Sequence, residues 1–258
     1  MIRLSMLGTN WKMHKTKSEA VSYTKRLKEL CQGIADPTIF LIPPYTMIET
    51  VKEILADTQI KVGAQNMHFE EEGAYTGEIS PKMLEDLSVD LVEIGHSERR
   101  QLYNETDYTV NKKVLACFKH GFAPLICLGE TRLEKEHDAG TETVARQVRI
   151  ALHGVGEQEI ERVIIAYEPV WAIGETGLPA DPAYVEHIHG CIRGKLREMY
   201  GERADQVSIL YGGSVNNQNS LEYMQKKNVD GLFIGRSAWD AENFHRIITA
   251  VREDKKVE

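Results

Sequence analysis

Ala166-Tyr167-Glu168-Pro169-Val170-Trp171-Ala172-Ile173-Gly174-Glu175-Thr176-Gly177-Leu178-Pro179-Ala180 is the stretch around which the chain is organised. The run leading into it, Val163-Ile164-Ile165-Ala166, is apolar and largely β-branched, the pattern of a strand buried on both faces. It ends on a single carboxylate, Glu168, and Pro169 then stops the ladder because it has no N–H to donate. A loop carrying Gly174 and Gly177 follows, and Asp181-Pro182 restarts a helix with an N-cap and a proline at the first helical position. A carboxylate at a strand's carboxyl end, under a loop long enough to cover it, is the arrangement of a general base beneath a lid. A strand-end glutamate that only forms a surface ion pair has the same local pattern. The rest of the chain has to decide.

Working outward, short apolar runs alternate with helical patterns, which is the βα rhythm of a parallel sheet. Eight strands are expected: Leu4–Thr9, Thr38–Ile42, Ile60–Ala64, Leu91–Ile94, Ala123–Leu128, Arg162–Tyr167, Val207–Tyr211 and Gly231–Ile234. The spacing predicts helices over Lys17–Cys31, Thr46–Ala56, Thr106–His120, Glu142–His153, Pro182–Tyr200, Asn217–Lys227 and Ala241–Arg252, with a short one at Ser80–Leu87. No linker or low-complexity tract divides the chain, so residues 1–258 are expected to form a single domain. Eight such units in 258 residues fit a (β/α)8 barrel, an α/β fold of eight parallel strands surrounded by helices. No Gly-x-Gly-x-x-Gly follows the first strand, which argues against a dinucleotide-binding sheet.

Composition narrows the partners. A net charge of −8 argues against nucleic acid and anionic membranes, although a few placed donors still bind a small anionic metabolite. Cys31, Cys117, Cys127 and Cys191 show no paired spacing and are expected to be reduced thiols in a cytoplasmic protein. The start of the chain reads as strand rather than leader, and no apolar run is long enough to span a bilayer.

In a parallel barrel all strand carboxyl ends share one face, where active sites of the fold are built. That face collects Asn10 and Lys12 after the first strand, His96 and Glu98 after the fourth, and Glu168 after the sixth. A glutamate base, two hydrogen-bond donors and a positive charge are what proton abstraction beside a carbonyl needs, because the enediolate must be stabilised as it forms. Ser97-Glu98 can open a helix whose N-terminal donors keep His96 neutral and able to donate. Taken singly each residue has a bland explanation: a structural histidine, a solvated lysine, a turn asparagine. Gly174, Gly212-Gly213-Ser214 and Gly235 supply unobstructed N–H groups where this fold usually cradles phosphate. No HxxxH pair and no grouped carboxylates stand at ligand spacing, so neither metal nor cofactor is expected.

The motifs Asn10-Trp11-Lys12-Met13, Gly95-His96-Ser97-Glu98-Arg99-Arg100, Tyr167–Gly174 and Tyr211-Gly212-Gly213-Ser214-Val215 closely resemble the triosephosphate isomerase family, over essentially the whole chain. In that family a glutamate base, a neutral histidine and a closing loop are the established mechanism. The resemblance implies Glu168 as the base, His96 as the electrophile, and Asn10 and Lys12 as the rest of the polar pocket. It implies Glu98 and Cys127 as supporting residues, and Gly174, Ser214 and Gly235, with Arg236 beside the last, as contacts to the substrate phosphate. It further implies a small phosphorylated sugar as substrate and a homodimer built through the loop Gly73–Glu78, with Thr76 reaching the partner's site.

Two departures lie at the mouth. The lid runs Ile173-Gly174-Glu175-Thr176-Gly177-Leu178-Pro179-Ala180, one residue longer than the family's usual lid and without its lysine. Near the eighth strand the usual Gly-Gly becomes Gly235-Arg236. Glu175 and Arg236 carry opposite charges and are expected to meet on lid closure, or else to remain solvated. The altered lid also resembles the erythrulose-phosphate isomerases of tetritol catabolism, a paralogous group. Three readings stay open: interconversion of glyceraldehyde 3-phosphate and dihydroxyacetone phosphate first, tetrulose phosphate isomerisation second, and a non-catalytic barrel that binds a phosphometabolite third.

Overall fold

Eight parallel strands pair in chain order and close on themselves, β8 returning to β1. The computed structural model describes residues 5–174 and 177–254. The strands are β1 (Met6–Asn10), β2 (Thr38–Ile42), β3 (Lys61–Ala64), β4 (Leu91–Ile94), β5 (Ala123–Leu128), β6 (Ile164–Tyr167), β7 (Ser208–Tyr211) and β8 (Gly231–Ile234). Around them lie α1 (Lys17–Leu30), α2 (Ile48–Leu55), α3 (Pro81–Asp86), α4 (Ser97–Leu102), α5 (Asp107–Lys119), α6 (Arg132–Glu136), α7 (Gly140–Ala151), α8 (Pro182–Tyr200), α9 (Ser220–Met224) and α10 (Ala241–Asp254). The expected (β/α)8 barrel is therefore the observed architecture.

Alternation along the strands separates two apolar layers. Phe40, Leu91, Leu125, Ile164, Leu210 and Phe233 fill the barrel interior, while Leu7, Ile39, Val92, Ile94, Ile126 and Ile165 pack against the helices. Gly8 makes the interior possible on one side, because a Cβ there would stand 2.0 Å from the Phe40 ring. One alternation step above this apolar layer, towards the carboxyl ends, come Asn10 on β1 and Glu93 on β4. The same face of β5 carries Cys127. The barrel thus changes from oil to polar groups within a single layer, directly under the mouth.

Most element boundaries match the sequence reading, and the exceptions have local causes. Leu4, the expected start of the first strand, lies outside the described residues, and β1 extends one residue past the expected end to Asn10. The expected helix Asn217–Lys227 shrinks to α9, because Asn216 and Asn219 hold a turn instead. The Asn216 N–H donates to Asn219 Oδ1 at 2.8 Å, and Asn216 Oδ1 accepts the N–H groups of Gln218 and Asn219. Short amide side chains compete with a helix's first turn in this way. The segment Tyr45–Met47 after Pro44 is a tight 3₁₀ turn rather than the start of α2. Helix α6 was not anticipated, although Thr131-x-x-Glu134 forms a reciprocal capping box at its start.

Candidate active site

Each site residue is delivered by a strand end or by a cap. His96 is the N-cap of α4, and its Nδ1 accepts the Glu98 N–H at 3.2 Å. An acceptor Nδ1 leaves the ring proton on Nε2, which lies 3.5 Å from Glu168 Oε1. The other Glu168 oxygen accepts the Ser97 N–H at 3.5 Å, so the first turn of α4 touches both the carboxylate and the imidazole. Glu168 is 3% exposed. Gly212 is required beside it, since a Cβ there would come within 2.8 Å of Glu168 Cγ.

Lys12 adopts a left-handed backbone, φ 52°, costly for a residue with a side chain. The strain is held by Asn10 Oδ1, which accepts the Lys12 N–H at 2.6 Å and Gln65 Nε2 at 3.0 Å. Lys12 Nζ donates to Glu98 Oε1 at 2.7 Å. Burial raises the Glu98 carboxyl's pKa, but the hydrogen bond from Lys12 and the neighbouring basic groups together hold it below the usual range. Asn10, Lys12, His96, Glu98, Glu168, Gly174, Ser214, Gly235 and Arg236 all line one cavity of about 370 Å³. Cys127 sits under its floor, fully buried, its thiol pushed up by burial and by the neighbouring carboxyl groups of Glu168 and Glu93. Thr76 lies elsewhere, exposed in the loop after β3.

The lid's flanks are tied to the neighbouring loops. Ser214 Oγ contacts the Ala172 and Gly177 carbonyls at 2.9 and 3.1 Å, and Tyr211 Oη accepts the Ala180 N–H. On the incoming side Trp171 Nε1 donates to buried Glu130, which also accepts from the hydroxyls of Tyr167 and Tyr184. Arg236 Nη2 reaches the Gly174 carbonyl at 3.5 Å, so the strand-8 arginine does meet the lid, through a backbone oxygen. Glu175 lies outside the described residues, and its expected pairing with Arg236 has no structural account.

Sequence reading missed Glu93. Its carboxyl is fully buried, with Oε2 accepting Asn10 Nδ2 at 2.7 Å and Oε1 lying 3.5 Å from Cys127 Sγ. The available signal was a charge inside Leu91-Val92-Glu93-Ile94, a strand type that otherwise reads as an unbroken apolar run. One oxygen or nitrogen from each of Glu93, His96 and Glu168 falls within 4.8 Å of the others. Grouped carboxylates therefore do occur, contrary to the sequence reading, because the barrel joins residues far apart in the chain. Their polar atoms are engaged with Asn10, Cys127, Ser97 and each other, which makes the group a hydrogen-bonded cluster. Glu105, also missed, braces it from behind by accepting the Gly95 N–H at 3.1 Å and Arg99 Nε at 2.7 Å.

Comparison with known proteins places this geometry. The family model described as triosephosphate isomerase matches residues 5–251. An L-erythrulose-1-phosphate isomerase from Rhizobium rhizogenes is 46% identical over 245 residues, covering 94% of this chain and 92% of that protein. A triosephosphate isomerase from Clostridium botulinum strain Langeland is also 46% identical, over 248 residues, covering 96% and 99%. The crystal structure of triosephosphate isomerase from Bartonella henselae superposes with a TM-score of 0.87 at 33% identity, over 98% of this chain and all of that one. Fold, matched length and identity together show that the chain belongs to the triosephosphate isomerase family.

Proposed function

We propose that this protein, acting as one catalytic barrel domain per chain, interconverts an aldose and a ketose phosphate by moving a proton between adjacent carbons. Glyceraldehyde 3-phosphate and dihydroxyacetone phosphate are the first pair, without a cofactor. The observation that carries this reading is the 3.5 Å juxtaposition of Glu168 Oε1 and His96 Nε2 at the base of a glycine-rimmed cavity. Glu168 takes the carbon-bound proton. The charge that develops on the carbonyl oxygen is met by the His96 Nε2–H, by Asn10 and by Lys12. Glu168 then returns the proton to the neighbouring carbon, while His96 Nε2 gives its proton to the former carbonyl oxygen and takes the hydroxyl proton from the other oxygen, so both groups end as they began. The N–H groups of Gly174 and Gly235, the Ser214 hydroxyl and Arg236 hold the phosphate, and the lid above excludes water that would otherwise let the enediolate lose phosphate. A barrel that only binds a phosphometabolite would not exchange a carbon-bound proton with solvent. Incubation of the protein with substrate in D₂O, followed by NMR, separates the two.

A tetrulose phosphate is a second reading, supported by the altered lid and by relatives of equal identity named as erythrulose-1-phosphate isomerases. The expected result is a higher kcat/KM on glyceraldehyde 3-phosphate than on erythrulose 1-phosphate, measured on one preparation. A tetrulose preference of about tenfold, or about 1.4 kcal/mol of differential transition-state binding, reverses the substrate assignment and leaves the mechanism intact.

The homodimer belongs to the same proposal. Met13 next to the active-site lysine is 95% exposed, and Tyr75, stacked on His68, is 45% exposed beside Thr76. A self-complementary two-fold interface would cover these apolar groups and bring Thr76 to the partner's mouth. Sedimentation at micromolar protein is expected to give a dimer of the 29.2 kDa chain, and a monomer alone would refute it. No helix among the described residues is long and apolar enough to cross a membrane. We place the protein in the cytoplasm, consistent with its free cysteines Cys31, Cys117, Cys127 and Cys191.

A further inference from the structure

Glu93 is a buried carboxyl group that the proton-transfer scheme leaves without a role. Strand alternation turns it into the barrel, on the same face of β4 as Leu91, so it cannot reach solvent by rotating. What surrounds it is poor in positive charge. From β1 comes the Asn10 amide, from β5 the Cys127 thiol, and from its own strand's exit His96, neutral at Nδ1. From the end of β6 comes Glu168, with an oxygen inside the same 4.8 Å cluster. Lys12, beyond Asn10, is paired with Glu98 instead. Among the described residues no lysine or arginine forms an ion pair with Glu93.

Two carboxyl groups this close, with no cation between them, do not both ionise in a dry site; one keeps a proton. The proton-transfer scheme needs Glu168 charged. We infer that Glu93 is the partner that keeps the proton, and that it is a positioning residue whose ionisation sets an alkaline limit on capture of the anionic substrate. As a neutral carboxyl it fixes Asn10, whose Nδ2 it holds and whose Oδ1 in turn anchors the strained Lys12 backbone. As a carboxylate it would add a second buried negative charge under a cavity that must admit a phosphate ester. The sign follows from charge alone: relative to free protein and substrate, every bound state is disfavoured, so kcat/KM falls as Glu93 ionises. Burial, reinforced by the charge of Glu168 and only partly offset by the hydrogen bonds from Asn10 and Cys127, pushes the Glu93 carboxyl up to about 7. That is inside the working range of pH.

This inference rests on Glu168 being the base, so the test has an arm independent of turnover. Glu93→Gln keeps the shape and the acceptor for Asn10 but cannot ionise. In the parent, kcat/KM on glyceraldehyde 3-phosphate is expected to fall about tenfold between about pH 6 and about pH 8.5, and Glu93→Gln should flatten that limb. Infrared difference spectra of the substrate-free proteins should show a protonated-carboxyl band on the acid side that Glu93→Gln removes. A residue that merely fills the core would leave the pH profile unmoved. An unchanged alkaline limb in Glu93→Gln, or no such band in the parent, overturns the inference. A folded Glu168→Gln protein that still turns over would instead dismiss the base, with the infrared band still deciding Glu93.

Discussion

Glu168→Gln is expected to lower kcat on glyceraldehyde 3-phosphate by about 10²–10⁴-fold, the range removed with a positioned general base, and by more if the amide misplaces the substrate. The fold should survive. Glutamine fills the same volume beside Gly212, where space is tight enough that a Cβ would collide with Glu168 Cγ. Its carbonyl oxygen can still accept the Ser97 N–H that now meets Glu168 Oε2. What it cannot do is take a proton from carbon. The measurement is steady-state kinetics paired with circular dichroism. Native secondary structure with turnover within about threefold of the parent would be incompatible with Glu168 as the base.

The fold was readable because its signals are local and repeated. Strands β2, β4, β5 and β8 start and stop where the apolar runs do. The residues grouped at the mouth were readable for a related reason: each sits at a strand's carboxyl end, and the closed barrel carries those ends to one face. Glu93 was not readable in that way. It stands inside a strand rather than at its end, so only alternation, not motif, marks it as facing Asn10 and Cys127. Glu105 was hidden differently, lying in a loop after α4 where a carboxylate usually means solvent. Its burial and its bonds to Gly95 and Arg99 exist only once that loop folds back. The lid shows a third limit. Sequence marked Arg236 as unusual but did not anticipate its contact with the Gly174 carbonyl, and the pairing with Glu175 falls on a residue outside the described ones. Backbone oxygens carry no sequence signature.

At the other end of the barrel the largest stability effect is expected from Arg193. Its guanidinium is buried and donates to the carbonyls of Ala204 and Val207 at 2.7 and 2.6 Å and to Asp230 Oδ2 at 2.5 Å. Asp230 Oδ2 also accepts the Ile209 N–H. One side chain of α8 thereby locks the entries to β7 and β8, far along both strands from the residues that line the cavity. Arg193→Met keeps much of the volume but strips a buried carboxylate of its guanidinium and uncaps two carbonyls. Breaking a buried pair from one side in this way costs about 3–5 kcal/mol. Replacing both partners, as Arg193→Met with Asp230→Asn, should cost less than the single change, because no unpaired charge is then left in the core. Urea unfolding at one fixed protein concentration measures both, and kcat of the folded fraction should stay within a few-fold of the parent. If Arg193→Met unfolds within about 1 kcal/mol of the parent, the pair is not what holds the amino-terminal end together. If stability holds but kcat collapses, the separation of a structural lower end from a reactive upper end is wrong for this chain.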